Sequence, residues 1–256
     1  MDNRVVLSGE EYHDYCKRFD IVWKYLHLCS YDVGVVADNV CKLRGYSRES
    51  GMPEMLKKTG FLYIDKDVFD VTKLEKLDRG ELGILTDSGN FLLEGRFIFP
   101  VRDMNANIIA LIGWYPDEKK YITTPSRLFS KKAILFGMEQ LKYSGIGKKY
   151  FLVEGIFDSL SVRNLGLNCV ALMGISAGSN TRVLYSLFSK LVAIPDNDTQ
   201  GRKVIERDLW KLPIGSSYLR WKEDIKDIDD MTKKYDMKGT LTDILAERST
   251  ERVITI

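Results

Sequence analysis

Apolar residues recur at three- and four-residue spacing through the first part of the chain. Tyr12, Tyr15, Phe19, Val22 and Leu26 form one stripe with charged residues between them, the pattern of an amphipathic helix. The spacing predicts helix over most of 9–45, with a second helix from Val33 to Leu43. Gly45 and the segment SRESGMP (47–53) break the pattern, and a short helix over Met55 to Lys58 ends at Gly60. FLYI (61–64) and GILTDSGNFLLEGRFIFPVRD (83–103) predict strands, with Ser88-Gly89 as a turn. NIIALIGWY (107–115), KKYITTP (119–125) and LFSKKAILFG (128–137) continue as a strand-rich stretch. From Lys148 the pattern changes. Phe151-Leu152-Val153 and Leu191-Val192-Ala193-Ile194 are continuous apolar runs that stop at carboxylates and are followed by helical periodicity, and Cys169 to Met173 is a third such run. Runs of this kind predict buried parallel strands feeding crossover helices. A last helix is predicted from Leu241 to Arg248.

The run ends carry the candidate chemistry. Glu154 follows one strand, and Asp196 and Asp198 follow another, which puts them at the carboxyl ends where open α/β sheets hold ligands. Carboxylates brought to one sheet edge repel unless a cation sits between them. Mg²⁺ or Mn²⁺ is the natural one, because these ions take oxygen ligands and keep water for substrate phosphates. Gly155 and Gly201 offer sharp bends beside the acids. The competing structural account is that each acid caps the helix after it.

Composition narrows the class. With 45% hydrophobic and 29% charged residues, the 256-residue chain has the make-up of a soluble globular protein of one large or two modest domains. The net charge of +2 hides a local excess: residues 117–150 hold eight Lys or Arg against three acids, just ahead of the acidic segments. A basic stretch leading into a carboxylate site suits a metal-dependent enzyme acting on polyphosphate or nucleic acid. Cys16, Cys29, Cys41 and Cys169 make no CxxC pair, so no zinc site is expected, and scattered thiols suit a reducing cytoplasm. No apolar run is long enough to span a membrane, and the first residues lack the apolar core of a signal peptide.

The E-G-x-x-D of Glu154 to Asp158, followed by the D-x-D of Asp196 to Asp198 and Gly201, resembles the TOPRIM domain shared by DnaG-type primases, topoisomerases and some nucleases. ALMGISAGSNTRVL (171–184) is similar to the strand, small-residue loop and helix of that domain in primases. KDIDDM (226–231) fits its third acidic motif, with Asp227 and Asp229 as the carboxylates and Asp230 as the competitor for the second place. A solvated, acid-rich helix start is the alternative for this segment. Upstream, Arg96, Phe99, Pro100, Asp103, Lys120, Tyr121, Pro125, Phe129, Lys131, Phe136 and Gly137 match the ordered motifs of the DnaG-type polymerase domain, so that the resemblance covers about residues 95–235. The chain departs from that pattern at Met104 to Asn107, where the family often has Gly and Arg, at Trp114-Tyr115, where an Arg is common, and at Thr123, where Asn is usual.

The resemblance implies an α/β fold in which a TOPRIM-type, mainly parallel sheet flanked by helices follows a smaller mixed α+β basic subdomain. The expected divisions are a helical and mixed region (1–90), a basic strand-rich subdomain (91–147), the TOPRIM catalytic domain (148–236) and a tail with one helix (237–256). It implies a DNA primase that makes short RNA primers on single-stranded DNA from ribonucleoside triphosphates, with Glu154, Asp196 and Asp198 as catalytic residues. Glu154, Asp158, Asp196, Asp198, Asp227 and Asp229 would hold two or more Mg²⁺ or Mn²⁺ ions, and Arg96, Lys120, Arg127 and Lys131 would bind nucleotide and template. A replicative helicase and a separate zinc-ribbon protein are the implied partners, and the chain reads as a stripped catalytic core of the kind a bacteriophage or mobile element carries. Two alternatives use the same residues differently. A TOPRIM nuclease would replace the attacking hydroxyl with water, and an accessory protein would keep the fold without catalysis.

Overall fold

The first apolar stripe forms α1 (Gly9–Cys29), which buries Tyr15, Phe19, Val22 and Leu26. Its start is fixed by a capping box: the Ser8 hydroxyl accepts from the Glu11 N–H at 3.2 Å, and the Glu11 carboxylate accepts from the Ser8 N–H at 2.7 Å. The structure is a computed structural model describing residues 8–65, 70–78, 82–116, 120–125, 134–173, 181–198, 211–221, 225–246 and 253–255. The chain divides into two units, Met1–Ser130 and Lys131–Ile256.

In the first unit α2 (Val33–Arg44) starts at Asp32, whose carboxylate accepts from the N–H groups of Gly34 and Val35, and ends at Gly45. The following helix, α3 (Met52–Thr59), begins earlier than the sequence pattern predicts, because Pro53 is tolerated in a first helical turn where its missing N–H costs nothing. β1 (Leu62–Tyr63), α4 (Val71–Asp78), β2 (Phe97–Arg102), β3 (Ile108–Tyr115) and β4 (Lys120–Thr123) complete the described elements. The strands form an antiparallel sheet in the order β1-β2-β3-β4. A core of Phe19, Trp23, Leu26, Leu62, Ile98 and Leu111 joins α1 to this sheet.

Two expectations are corrected here. The strands predicted within 83–95 reduce to an isolated bridge between Leu85 and Phe91, because Thr86 to Asn90 closes a tight turn and the chain turns again before β2. The division expected at residue 90 runs through one sheet, since β1 pairs with β2 at Leu62–Ile98 and Tyr63–Phe97. The turn after β2 is held by Asp103, whose carboxylate accepts from the Tyr12 hydroxyl at 2.6 Å and from the N–H groups of Asn105 and Asn107 at 2.9 and 2.8 Å. Those bonds, with Arg102 donating to the Ala106 carbonyl at 3.0 Å, hold Ala106 at a φ of 68° without the glycine usual at such a position.

The second unit contains α5 (Gln140–Ser144), β5 (Lys149–Val153), α6 (Ile156–Asn164), β6 (Cys169–Ala171), α7 (Thr181–Tyr185), β7 (Lys190–Ile194), β8 (Ser217–Arg220), α8 (Ile228–Lys234), α9 (Lys238–Ala246) and β9 (Val253–Thr255). The strand order is β6-β5-β7-β8-β9 and every pairing between these strands is parallel. Tyr150 to Val153 and Lys190 to Ile194 are buried throughout, as a sheet covered on both faces requires. Of the predicted strand at 128–137, residues 128–133 lie outside the described residues and Phe136 makes an isolated antiparallel bridge to Ala171. The loop at 174–180 and Gly201 also lie outside them.

Candidate active site

The parallel sheet runs from β5 outward in both directions, to β6 on one side and to β7 on the other. Such a reversal opens a crevice between the two strands at their carboxyl ends, where the connections leave toward opposite faces. Val153 pairs with Ile194 at the last position of this ladder, so Glu154 and Asp196 emerge side by side at the crevice. The Asp196 N–H donates to Glu154 Oε1 at 3.3 Å, and the Glu154 carbonyl accepts from Met173, which holds a φ of 58°.

Burial raises the Glu154 carboxyl above its ordinary value, and the charge on Asp198 adds to this against the Asp196 N–H. Asp196 is pushed up to about 7, first by burial and then by Glu154 and Asp227, with Lys226 pulling the other way. Asp198 is exposed at the rim. Asp158, on the first turn of α6, is raised well above its ordinary value by burial and by Asp227, Asp196 and Asp229. Its two oxygens accept from Gly155 N–H at 3.1 Å and Asp229 N–H at 3.3 Å. Gly155 itself has a φ of −101°, which any residue adopts. What it supplies is space, since a Cβ there would collide with the Asp158 carboxylate.

The third acidic segment is tied to the second: Asn197 N–H donates to the Lys226 carbonyl at 2.7 Å, and Trp221 Nε1 donates to the Pro195 carbonyl at 2.9 Å. Asp227 caps α8, with Oδ1 accepting from Asp230 N–H at 2.8 Å and Oδ2 paired with Lys226 at 2.8 Å. Asp229 is 1% exposed, while the side chain of Asp230 is 37% exposed, so the inward carboxylate of the pair is Asp229. A solvated helix start does not describe this segment.

Among the described residues no three His, Cys, Asp or Glu side chains already form a chelating group. The donor set nevertheless fits a hard divalent cation: it is all oxygen, it is partly desolvated, and the burial and, after it, the carboxylate repulsion that raise Glu154, Asp158 and Asp196 both penalise negative charge that a cation would neutralise.

Of the expected basic residues, Arg96 and Lys120 belong to the first unit, and Arg127 and Lys131 lie outside the described residues. Arg96, in the first unit, lies with its guanidinium carbon 5.5 Å from the centre of the Tyr115 ring, and its Nη1 is buried without a hydrogen-bond partner among the described residues. Lys120 opens β4 opposite Tyr115, and its side chain lies outside what the structure describes, as do Arg127 and Lys131. Four residues escaped the sequence pattern: Lys226 and Trp221, which join the acidic segments, and Ser161 and Lys233, which contact Asp229. Lys233 follows Asp229 by four positions on one helix, a spacing at which opposite charges meet. Nothing in sequence singles out Ser161.

Comparison with known proteins agrees with this geometry. Residues 151–232 match the family model described as Toprim-like. The chain is 29% identical to a DNA primase of Clostridium acetobutylicum over 136 residues, which is 51% of this chain and 23% of that protein. It is 26% identical to a DNA primase of Mycoplasma genitalium over 172 residues, 63% of this chain and 28% of that protein. It thus spans about a quarter of the length of the curated relatives it matches. Among solved structures, a DnaG primase catalytic domain bound to single-stranded DNA superposes with a TM-score of 0.74 at 19% identity, covering 93% of this chain and 80% of that one. The zinc-binding and RNA polymerase domains of the Aquifex aeolicus primase superpose with a TM-score of 0.69 at 23% identity, covering 94% and 62%.

The segment that carries the crevice and its acids, residues 151–232, is therefore Toprim-like. In sequence the chain is similar to DNA primases, and its fold is that of the DnaG primase catalytic core. Among the described residues no helix is long and apolar enough to cross a membrane.

Proposed function

We propose that the chain is the catalytic core of a DNA primase, joining ribonucleotides into short primers on single-stranded DNA. The observation that carries this reading is the set of acids from three separate segments at the β5/β7 crevice of a primase-core fold. Glu154, Asp158, Asp196, Asp198, Asp227 and Asp229 would hold Mg²⁺ or Mn²⁺. Bound ions of this kind supply positive charge to both the attacking and the leaving oxygens of an in-line displacement.

The chain's own contribution is orientation. The β5–β7 ladder fixes the separation of Glu154 from Asp196, and backbone amides fix Asp158 between the first turns of α6 and α8. Arg96, whose Nη1 has no hydrogen-bond partner among the described residues, would contact nucleotide phosphate or template, together with Lys120, Arg127 and Lys131. These contacts are to backbone phosphates, so template binding would weaken steeply with salt. A replicative helicase and a zinc-ribbon protein that present the template in the cytoplasm belong to the same proposal.

Incubating the protein with labelled ribonucleotides, single-stranded DNA and Mg²⁺ or Mn²⁺ tests the reading. Short oligoribonucleotides that require the template are expected. Degradation of the template with no synthesis would replace the primase with a nuclease, and neither activity alongside salt-sensitive DNA binding would leave an accessory protein.

A further inference from the structure

Asp229 is held differently from the other acids. Its Oδ1 accepts from the Ser161 hydroxyl at 2.6 Å, and its Oδ2 is paired with Lys233 Nζ at 2.7 Å. Ser161 is 2% exposed and lies three positions after Asp158 on α6. In the reverse direction the Asp229 N–H donates to Asp158 Oδ1 at 3.3 Å. The two helices are therefore joined by two bonds of opposite sense: a hydroxyl on α6 to a carboxylate on α8, and an amide on α8 to a carboxylate on α6. Asp227 caps α8 and moves with the start of that helix.

We infer that Ser161, Asp229 and Lys233 form a buried clamp that seats the start of α8 against α6, which makes Asp229 a positioning residue that sets where Asp158 and Asp227 stand. The inference rests on the metal-dependent reading of the site and changes the part Asp229 plays in it. A carboxylate with an ammonium on one oxygen and a hydroxyl on the other has much of its charge neutralised, and turning it toward an ion would break the 2.7 Å contact to a lysine whose side chain is only 19% exposed and whose other carboxylate neighbour, Asp230, stands at 3.9 Å. Among the described residues neither the Glu154 nor the Asp196 carboxylate shows a side-chain hydrogen-bond partner of that kind, and what joins the two is the 3.3 Å bond from the Asp196 N–H to Glu154 Oε1.

The test is a Mn²⁺ titration of the full chain followed by electron paramagnetic resonance, which gives both affinity and the number of ions bound. The variants are Asp229→Asn, Ser161→Ala, Lys233→Met, the Ser161→Ala/Asp229→Asn pair, and Ser161→Thr. The clamp predicts binding about tenfold weaker in each of the first three, the loss typical of groups that support ligands from behind, with the number of ions unchanged. It also predicts that the pair is no weaker than Asp229→Asn alone, because residues acting through one contact are not additive, and that Ser161→Thr restores affinity.

Loss of one bound ion in Asp229→Asn, with wild-type affinity in Ser161→Ala and Lys233→Met, would make Asp229 a ligand and overturn the clamp. Ser161→Ala removes one hydroxyl and decides the matter if Asp229→Asn fails to fold. Primer synthesis is assayed separately. A wild type that shows the coupled Mn²⁺ behaviour but makes no primers keeps the clamp and removes the primase reading. Primers from a wild type whose variants bind Mn²⁺ unchanged do the reverse.

Discussion

The strand-end acids Glu154 and Asp196 and the helix-start acids Asp227 and Asp229 share one cluster, yet their surroundings are opposite. The first two leave neighbouring strands with a single weak backbone bond between them, and burial and like charge raise both. The second two are compensated: Lys226 and a backbone amide meet Asp227, and Lys233 and Ser161 meet Asp229. An acid kept in a repulsive setting stabilises nothing by itself and is held there for something that binds. An acid with a cation and a hydroxyl already holds the fold. One cluster thus contains both kinds, and the difference lies in their partners.

Mutation should separate the two kinds. The largest effect is expected at the repulsive pair, where Glu154→Gln should lower primer synthesis about a thousandfold, the scale for a lost charge-stabilising group, while leaving thermal melting of the metal-free protein unchanged or higher. The compensated pair should respond in stability. Asp229→Ala removes the 2.7 Å partner of the Lys233 ammonium in a largely buried place, leaving Asp230 at 3.9 Å, and denaturant unfolding should show a loss of about 3 kcal/mol. Gly155→Ala forces a Cβ onto the Asp158 carboxylate. It should cost about 1–2 kcal/mol in the same experiment and also weaken Mn²⁺ binding, since Asp158 must shift.

The smallest effect is a pH trend. Asp196 ionises at about 7 when folded and near 3.8 when exposed, so between those values the folded chain binds more protons than the unfolded one. Metal-free stability should therefore fall as the pH rises from about 4 to about 7. Asp196→Asn should flatten that slope in thermal melts, and Mn²⁺ affinity should rise over the same range because ligands must lose their protons.

The parallel half was legible in the sequence for a physical reason. Strands buried on both faces need continuous apolar runs, and Phe151 to Val153 and Leu191 to Ile194 end abruptly where the chain meets the crevice, so that the acids mark the strand ends themselves. The α1 stripe was legible because one helix face packs on one core. The segment 83–95 misled because Leu85, Phe91 and Leu93 reach toward the interior from turns, giving strand-like apolar spacing without a ladder. The role of Gly155 was partly hidden, since the need is for room beside Asp158 rather than for an unusual φ. Contacts such as Ser161 to Asp229 and Tyr12 to Asp103 join residues 68 and 91 positions apart. Periodicity carries no record of such pairs, because only the finished topology brings them together.

The most direct measurement pairs two assays on Asp196→Ala/Asp198→Ala: primer synthesis with Mg²⁺ or Mn²⁺, and thermal melting without metal. The account predicts that synthesis is lost while the melting temperature stays level or rises, because these acids serve a bound ion and not the fold. Retained synthesis, or a loss accompanied by a clear drop in melting temperature, would contradict it.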